Sequence, residues 1–370
     1  MAGLYLHIPY CRQICGYCDF FRSVDHSQRE QLLQAMHEEM ERERDFISTR
    51  ELKTIYFGGG TPSTLSIEEV EGFLRHISSI FRVDKDAEIT LEANPDDLSR
   101  SYLEALRRVG VNRLSIGIQS FDDAELHFMN RRHSAAQARE AVAQAREAGF
   151  ENIAIDLIFG VDGFGGEILE RSIAQAVELD VEHIAAYHLT IEPRTKFGVM
   201  LSKGELRQVD ESVSEQEFLL VQERLTAAGY EHYEISAYAK RGFRSRHNSA
   251  YWEGKEYLGI GAGAHSYNGQ VRRWAQSSVA HYIRGVEYEH EELSFEDRLN
   301  ETIMTSLRRE EGILLSSFGA EFGRRAKDDL LERARPFLES EDLVLYEDKL
   351  TIPKANFLRS DMIIAHLFSE

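Results

Sequence analysis

The strongest constraint on this chain is a rhythm of element types. Short runs rich in apolar and β-branched residues alternate with amphipathic stretches that carry a helical period. The runs are 3–7 (GLYLH), 53–57 (KTIYF), 87–92 (AEITLE), 112–118 (NRLSIGI), 152–158 (NIAIDLI) and 183–189 (HIAAYHL). The helical stretches cover about 27–47, a segment opening at Ser66, and about 98–109, 134–148, 165–179 and 212–228. Ser66 with Glu69 reads as a capping box, and Gly110 and Gly149 as helix C-terminal glycines. Six strand–helix units in succession predict an α/β fold, a parallel (βα)6-type TIM-like barrel.

In such a barrel every strand ends on the same face, where a site can be built. The first strand runs into a loop holding Cys11, Cys15 and Cys18, and the second into Gly58-Gly59-Gly60-Thr61. The third ends at Glu92, the fourth at Gln119-Ser120 and the sixth at His188-Leu189-Thr190, while the fifth holds Asp156. One polar strand end is an ordinary turn. Six at the same end predict one mouth.

The three cysteines are the only ones in 370 residues. Closed structural zinc sites want four ligands, and His7, the nearest candidate, sits on a strand end. A 4Fe–4S cube takes thiolates at its corners. A C-x3-C-x2-C loop wraps three corners and leaves the fourth iron open to an exchangeable ligand. The net charge of −20, from 43 basic and 63 acidic side chains, repels phosphate backbones and argues against nucleic acid. No apolar run reaches the roughly 18 residues of a membrane span. The start, MAGLYLHIPYC, lacks a secretory pattern, so the expectation is a cytoplasmic protein with reduced thiols.

The rhythm breaks after residue 240. The division expected is a core at 1–240, a connecting segment at 241–285 and a small C-terminal helix-and-wing domain at 286–370. HNSAYW (247–252) and YLGIGAGAHSY (257–267) read as irregular and strand structure. The charged stretch from about 285 reads as helical, followed by two short helices and a hairpin at 342–353. The basic run KRGFRSRHN (240–248) is a candidate contact for an anionic small molecule.

The cysteine loop, with Tyr17 before its last Cys, resembles the signature of the radical S-adenosylmethionine (SAM) superfamily. LYLHIPYC, YFGGGTPS, LEANPDDLS, RLSIGIQSF, IDLIFG, YHLTIEPRTKF, YEISAYA and RHNSAYW together resemble the oxygen-independent coproporphyrinogen oxidase group, and within it the heme-chaperone branch, over about residues 3–267. The resemblance implies a partial barrel with a small C-terminal helical, winged-helix-like domain. It implies that Cys11, Cys15 and Cys18 ligate a 4Fe–4S cluster, and that Tyr5, Tyr17, Gly59, Gly60, Thr61, Glu92, Gln119, Arg131, Asp156 and Thr190 surround it and SAM. Among these, Glu92 is expected at the SAM ammonium or ribose, Gln119 and Asp156 at ribose hydroxyls, and Arg131 at a carboxylate. HNSAYW fits the branch's HNxxYW pattern at His247, Asn248, Tyr251 and Trp252. That makes His247 and Tyr251 candidate heme contacts, with His265 a second candidate ligand. Heme, an apo-hemoprotein acceptor and an electron-donor protein are the implied partners.

Two departures stand out. Asp19 and Phe20 follow Cys18, where the decarboxylases of the group carry a further Cys, which weakens the rival reading of a coproporphyrinogen III decarboxylase. The loop at 160–166 reads GVDGFGG where the group has GLPG. A third reading, a metal-stabilised interaction module without SAM chemistry, leaves the convergent polar strand ends unexplained.

Overall fold

The computed structural model describes residues 2–369, so Met1 and Glu370, the outer ends of the expected first and last segments, lie outside it. All six expected strands form: β1 (Ala2–Ile8), β2 (Glu51–Gly59), β3 (Arg82–Ala93), β4 (Arg113–Gln119), β5 (Ile153–Phe159) and β6 (His183–His188). They pair in sequence order, every pair parallel. Between them run α1 (Arg29–Arg42), α2 (Ile67–Ile80), α3 (Arg100–Val109), α4 (Asp123–Phe128), α5 (Ala135–Glu147) and α6 (Glu167–Glu178). Ser66 and Glu69 do form the capping box of α2, and Gly110 caps α3 at a left-handed φ of 109°.

The period of two explains which side chains face the site. Leu4, Leu6 and Ile8 of β1, Leu114, Ile116 and Ile118 of β4, and Ile153, Ile155 and Leu157 of β5 are buried in the main apolar core with the helices. The alternate residues face the other way, and those positions hold Tyr5, Tyr56, Glu92, Ser115, Asp156 and Tyr187. Each helix covers an apolar face, and the polar residues are left to line the concave face.

The sheet continues past β6. After α7 (Lys196–Ser202) and α8 (Glu211–Ala227), β7 (Glu231–Glu234) and β8 (Ala237–Ala239) add an antiparallel edge. After α9 (Arg246–Trp252), β9 (Tyr257–Ile260) pairs parallel with β1 on the opposite side. Then β10 (His265–Tyr267), β11 (Val271–Ala275) and, beyond α10 (Val279–Arg284), β12 (Tyr288–Glu292) follow antiparallel. The twelve strands run β12-β11-β10-β9-β1-β2-β3-β4-β5-β6-β8-β7, with β12 and β7 as unjoined edges, so the barrel is partial. The segment at 241–285 thus contributes strands to the central sheet.

The chain closes with α11 (Phe295–Leu307), β13 (Ile313–Leu314), α12 (Leu315–Phe322), α13 (Arg324–Glu339), the hairpin β14 (Val344–Tyr346) and β15 (Lys349–Thr351), and α14 (Ser360–Leu367). The three short strands form their own sheet beside the helices, a helix-and-wing arrangement.

Three local expectations need correction. HNSAYW is helical rather than irregular or strand: it makes up nearly all of α9, capped by Ser245, whose side chain accepts from the Asn248 N–H. Glu88, far away in sequence on β3, accepts from the Arg246 and His247 N–H groups at 3.1 and 3.0 Å, so the first turn is satisfied by a tertiary partner. The stretch just past 285 is a strand, β12, because it pairs residue by residue with β11 across the sheet edge, with Glu291 opposite Arg272 at 3.2 Å. Finally, α13 is a 16-residue helix, and α14 follows the hairpin.

Candidate functional site

The cysteine loop leaves β1 and is held on both sides. The Cys11 N–H donates to the Ser23 carbonyl at 2.9 Å, and the Ser23 N–H to that of Pro9 at 2.8 Å. The Gly16 N–H donates to Met129 O at 3.0 Å, while the Phe197 N–H donates to Gly16 O at 2.9 Å. A Cβ on Gly16 would sit 2.6 Å from the Phe197 ring, so only glycine lets α7 close on the loop.

The three thiols open on a cavity of about 380 Å³ at the carboxyl ends of β1 to β6. Its walls include Tyr17, Gly59, Gly60, Thr61, Glu92, Gln119, Arg131, Asp156 and Thr190. These are the residues expected around a cluster and SAM, with one exception: Tyr5 lines a neighbouring cavity instead. The 160–166 loop is not part of this wall. Its Gly160 N–H donates to the Glu217 carboxylate at 2.9 Å, drawing the loop toward α8.

Two groups address the sulfurs. Thr61 donates its hydroxyl to Cys11 Sγ at 3.3 Å, and Arg131 Nη1 reaches Cys15 Sγ at 3.2 Å. Arg131 is oriented by Asn94 Oδ1 at 2.7 Å and the Gly117 carbonyl. Its Nε is buried without a partner among the described residues. Burial raises the Cys11 and Cys18 thiols, which the Thr61 hydroxyl and the Arg22 guanidinium respectively counter. Across the cavity, Glu92 accepts from Tyr56 Oη at 2.7 Å and from the Gly59 N–H at 3.2 Å. Burial still pushes Glu92 up to about 7, and Asp156 up to about 6. Gln119 ends β4 with φ at 72°, a left-handed conformation uncommon for a residue with a side chain, and such strain gathers at functional sites.

Asn94, Tyr56 and Arg113 were missed. Asn94 lies in the LEANPDDLS stretch, where nothing in the sequence sets it apart from its neighbours. Tyr56 follows from counting in twos from Thr54. Arg113 is 1% exposed on the concave side of β4, and no sequence signal marked it.

A second cavity, of about 900 Å³, lies between β1, β9, β10 and β11 and the α11 helix. Tyr5, Phe20, Tyr251, Trp252, Tyr257, Tyr267 and His265 are among its lining residues, and Phe20 borders both cavities. His247 is not brought to either. It is 1% exposed, with Nδ1 2.7 Å from Thr54 Oγ1 and Nε2 2.7 Å from Tyr251 Oη. Its ring stacks on Tyr56 at 4.9 Å. The basic run is also engaged elsewhere: Arg244 pairs with Glu231, Glu310 and Glu311, and Lys240 with Asp180. Asp19 faces the second cavity and lies 3.7 Å from Arg194.

Three thiols on a pre-held loop, with a cation and a hydroxyl directed at their sulfurs, fit a 4Fe–4S cluster with one open corner. Among the described residues, no three His, Cys, Asp or Glu side chains are gathered as a ligand set for a single metal ion.

A parallel partial barrel with its cysteine loop after the first strand is the architecture of a radical SAM protein, and the radical SAM superfamily model matches residues 5–176. The heme chaperone HemW of Bacillus subtilis is 38% identical over 332 residues, which cover 88% of each chain. HemW of Mycobacterium tuberculosis H37Rv is 32% identical over 375 residues, covering 99% of this chain and 94% of its own. The chain belongs to the HemW family of radical SAM proteins. In fold it matches the solved structure of coproporphyrinogen III oxidase (HemN) from Escherichia coli, with a TM-score of 0.85 at 21% identity over 100% of this chain and 90% of that one. No helix among the described residues is long and apolar enough to cross a membrane.

Proposed function

We propose that this protein is a heme chaperone of the radical SAM type, which binds a 4Fe–4S cluster, SAM and heme and passes the heme to an apo-hemoprotein. Cys11, Cys15 and Cys18 would hold the cluster, with Arg131 balancing the thiolate charge. Gly59 and Gly60 would let SAM approach the backbone, and Glu92, Gln119, Asp156 and Thr190 would bind its ammonium and ribose. When bound and reduced by an electron donor, the cluster and SAM supply one-electron chemistry. In this reading residues 1–240 hold the cluster and SAM, 241–285 carry the HNxxYW motif, and 286–370 cover the second cavity. Tyr251 would meet the heme from α9, and His247 would hold Tyr251 in place.

The observation that carries the reading is the second cavity, large, aromatic and bordering the first at Phe20. The rival, a coproporphyrinogen III decarboxylase, gains nothing specific from the site, since Cys18-Asp19-Phe20 stands where the decarboxylases have a C-x-C ending. The test is anaerobic. Cluster-loaded protein carrying hemin is mixed with apomyoglobin, and the same preparation is assayed with SAM, reductant and coproporphyrinogen III. Hemin transfer without decarboxylated product is the expected result. Product formed over many turnovers, or no transfer, would overturn the proposal.

A further inference from the structure

The HNxxYW histidine cannot reach the second cavity as it stands, which leaves open what would hold an iron there. Only two histidines line that cavity among the described residues, His7 and His265. His7 is 5% exposed, with Nδ1 3.2 Å from Tyr5 Oη and Nε2 2.9 Å from the Phe21 carbonyl. Both of its nitrogens are engaged.

His265 differs in every respect. It opens β10, and its exposed ring faces the cavity. Its register partner on β11 is Trp274, on which it stacks with centroids 5.5 Å apart and planes 24° apart. That contact orients the ring, and neither of its nitrogens has a hydrogen-bond partner among the described residues. Desolvation and Arg272 lower its pKa, so the ring is neutral near pH 7 and keeps a lone pair. The tyrosines of the wall are weaker rivals, because burial raises Tyr251 and Tyr257 and keeps them as neutral phenols. The tyrosines of the remaining wall suit a flat macrocycle, while its charges are mixed: Asp19, Glu253, Glu301 and Glu321 line it together with Arg272, Arg298 and Arg309. Tyr257 and Tyr267 lie on the sheet side, and Thr302, Thr305 and Ser306 on α11. Arg272 is held by Glu301 and Arg309 lies 4.0 Å from Glu253, which leaves Arg298, whose buried Nε lacks a partner among the described residues, as the cation available to an acidic group.

Resting on the heme-binding reading above, we propose that the second cavity is the heme site and that His265, not His247, is the protein ligand to the heme iron, with Arg298 facing a carboxylate group. His247 is a positioning residue that fixes Tyr251.

The full-length, cluster-loaded protein is titrated with hemin and with iron-free protoporphyrin IX. The wild type is expected to bind hemin at least roughly tenfold more tightly than the iron-free ring, with an imidazole-ligated spectrum. His265→Ala should lose that preference while its affinity for protoporphyrin stays within about twofold, since only the iron bond is removed. His265→Cys should shift the hemin spectrum to a thiolate type. The ring is exposed, so both variants should melt as the wild type does. An unchanged hemin preference and spectrum in both variants would overturn the assignment and leave heme binding intact. Absence of hemin binding in the wild type would instead overturn the heme-chaperone reading itself.

Discussion

At the scale of single residues, the site is a place where carboxylates are largely desolvated. Asp156 ionises at about 6 in the folded chain, against 3.8 for a free side chain, with burial as the main cause. The folded state therefore holds a proton that the unfolded chain has released between about pH 4 and 6. Stability from this group is present at low pH and lost as pH rises through about 6. Asp156→Asn removes the buried charge. It should stabilise the cluster-free protein at pH 8 by about 1–3 kcal/mol, a gain that vanishes near pH 4. Urea denaturation at both pH values checks this, and a pH-independent difference would show that the carboxylate is not desolvated. The same variant should bind SAM more weakly. The inward positions of Glu92 and Asp156 were legible because strand periodicity assigns a face, and that of the cysteines because their loop follows a strand end. The surroundings of His247 were not. A motif match says nothing about which way a ring points, and Thr54 and Tyr56, which engage it, lie almost two hundred residues away.

At the scale of elements, β1 and β2 carry the site, and their register leaves no room beside Gly60. Its N–H donates to Ile8 O at 2.8 Å, and a Cβ there would lie 2.5 Å from the Pro9 carbonyl oxygen and 2.6 Å from its carbon. Those are backbone atoms at the root of the cysteine loop and cannot step aside. Gly60→Ala should cost about 1–3 kcal/mol and lower iron loading after reconstitution. Gly72, inside α2, has nothing within 4 Å of a built Cβ. Gly72→Ala should stabilise by about 0.5–1 kcal/mol and leave iron loading unchanged. If both variants behave alike in denaturation and iron analysis, the close approach at Gly60 is not what fixes the loop. The six parallel strands and their helices were legible because each carries its own period and caps. Elements made by distant partners were not: the first turn of α9 is satisfied by Glu88 of β3, and β12 forms through its ladder with β11.

At the scale of the whole molecule, the second cavity exists only if the C-terminal segment stays seated on the barrel edge. Backbone bonds begin that seam, with Ile235 N–H to Arg308 O at 3.0 Å and Glu310 N–H to Tyr233 O at 3.1 Å. An ionic network completes it: Arg244 joins Glu231 of β7 to Glu310 and Glu311, and Lys354 pairs with Glu310 at 2.7 Å. The network works against a net charge of −20, whose self-repulsion favours separation of the parts. Salt therefore acts in two directions, screening the repulsion while weakening the pairs. Comparing Arg244→Met with the wild type isolates the second effect, because their overall charge is nearly equal. In low salt the variant should be less stable by about 1 kcal/mol, given the partial exposure of the network, and should release hemin faster and be cut sooner by protease near residues 308–312. Near 1 M salt, where screening acts over about 3 Å, the gap should close. Cluster loading should not change, since no member of the network lines the first cavity. A gap that persists at high salt would mean that Arg244 acts through its packing over the Tyr233 ring, 5.1 Å away, rather than through charge.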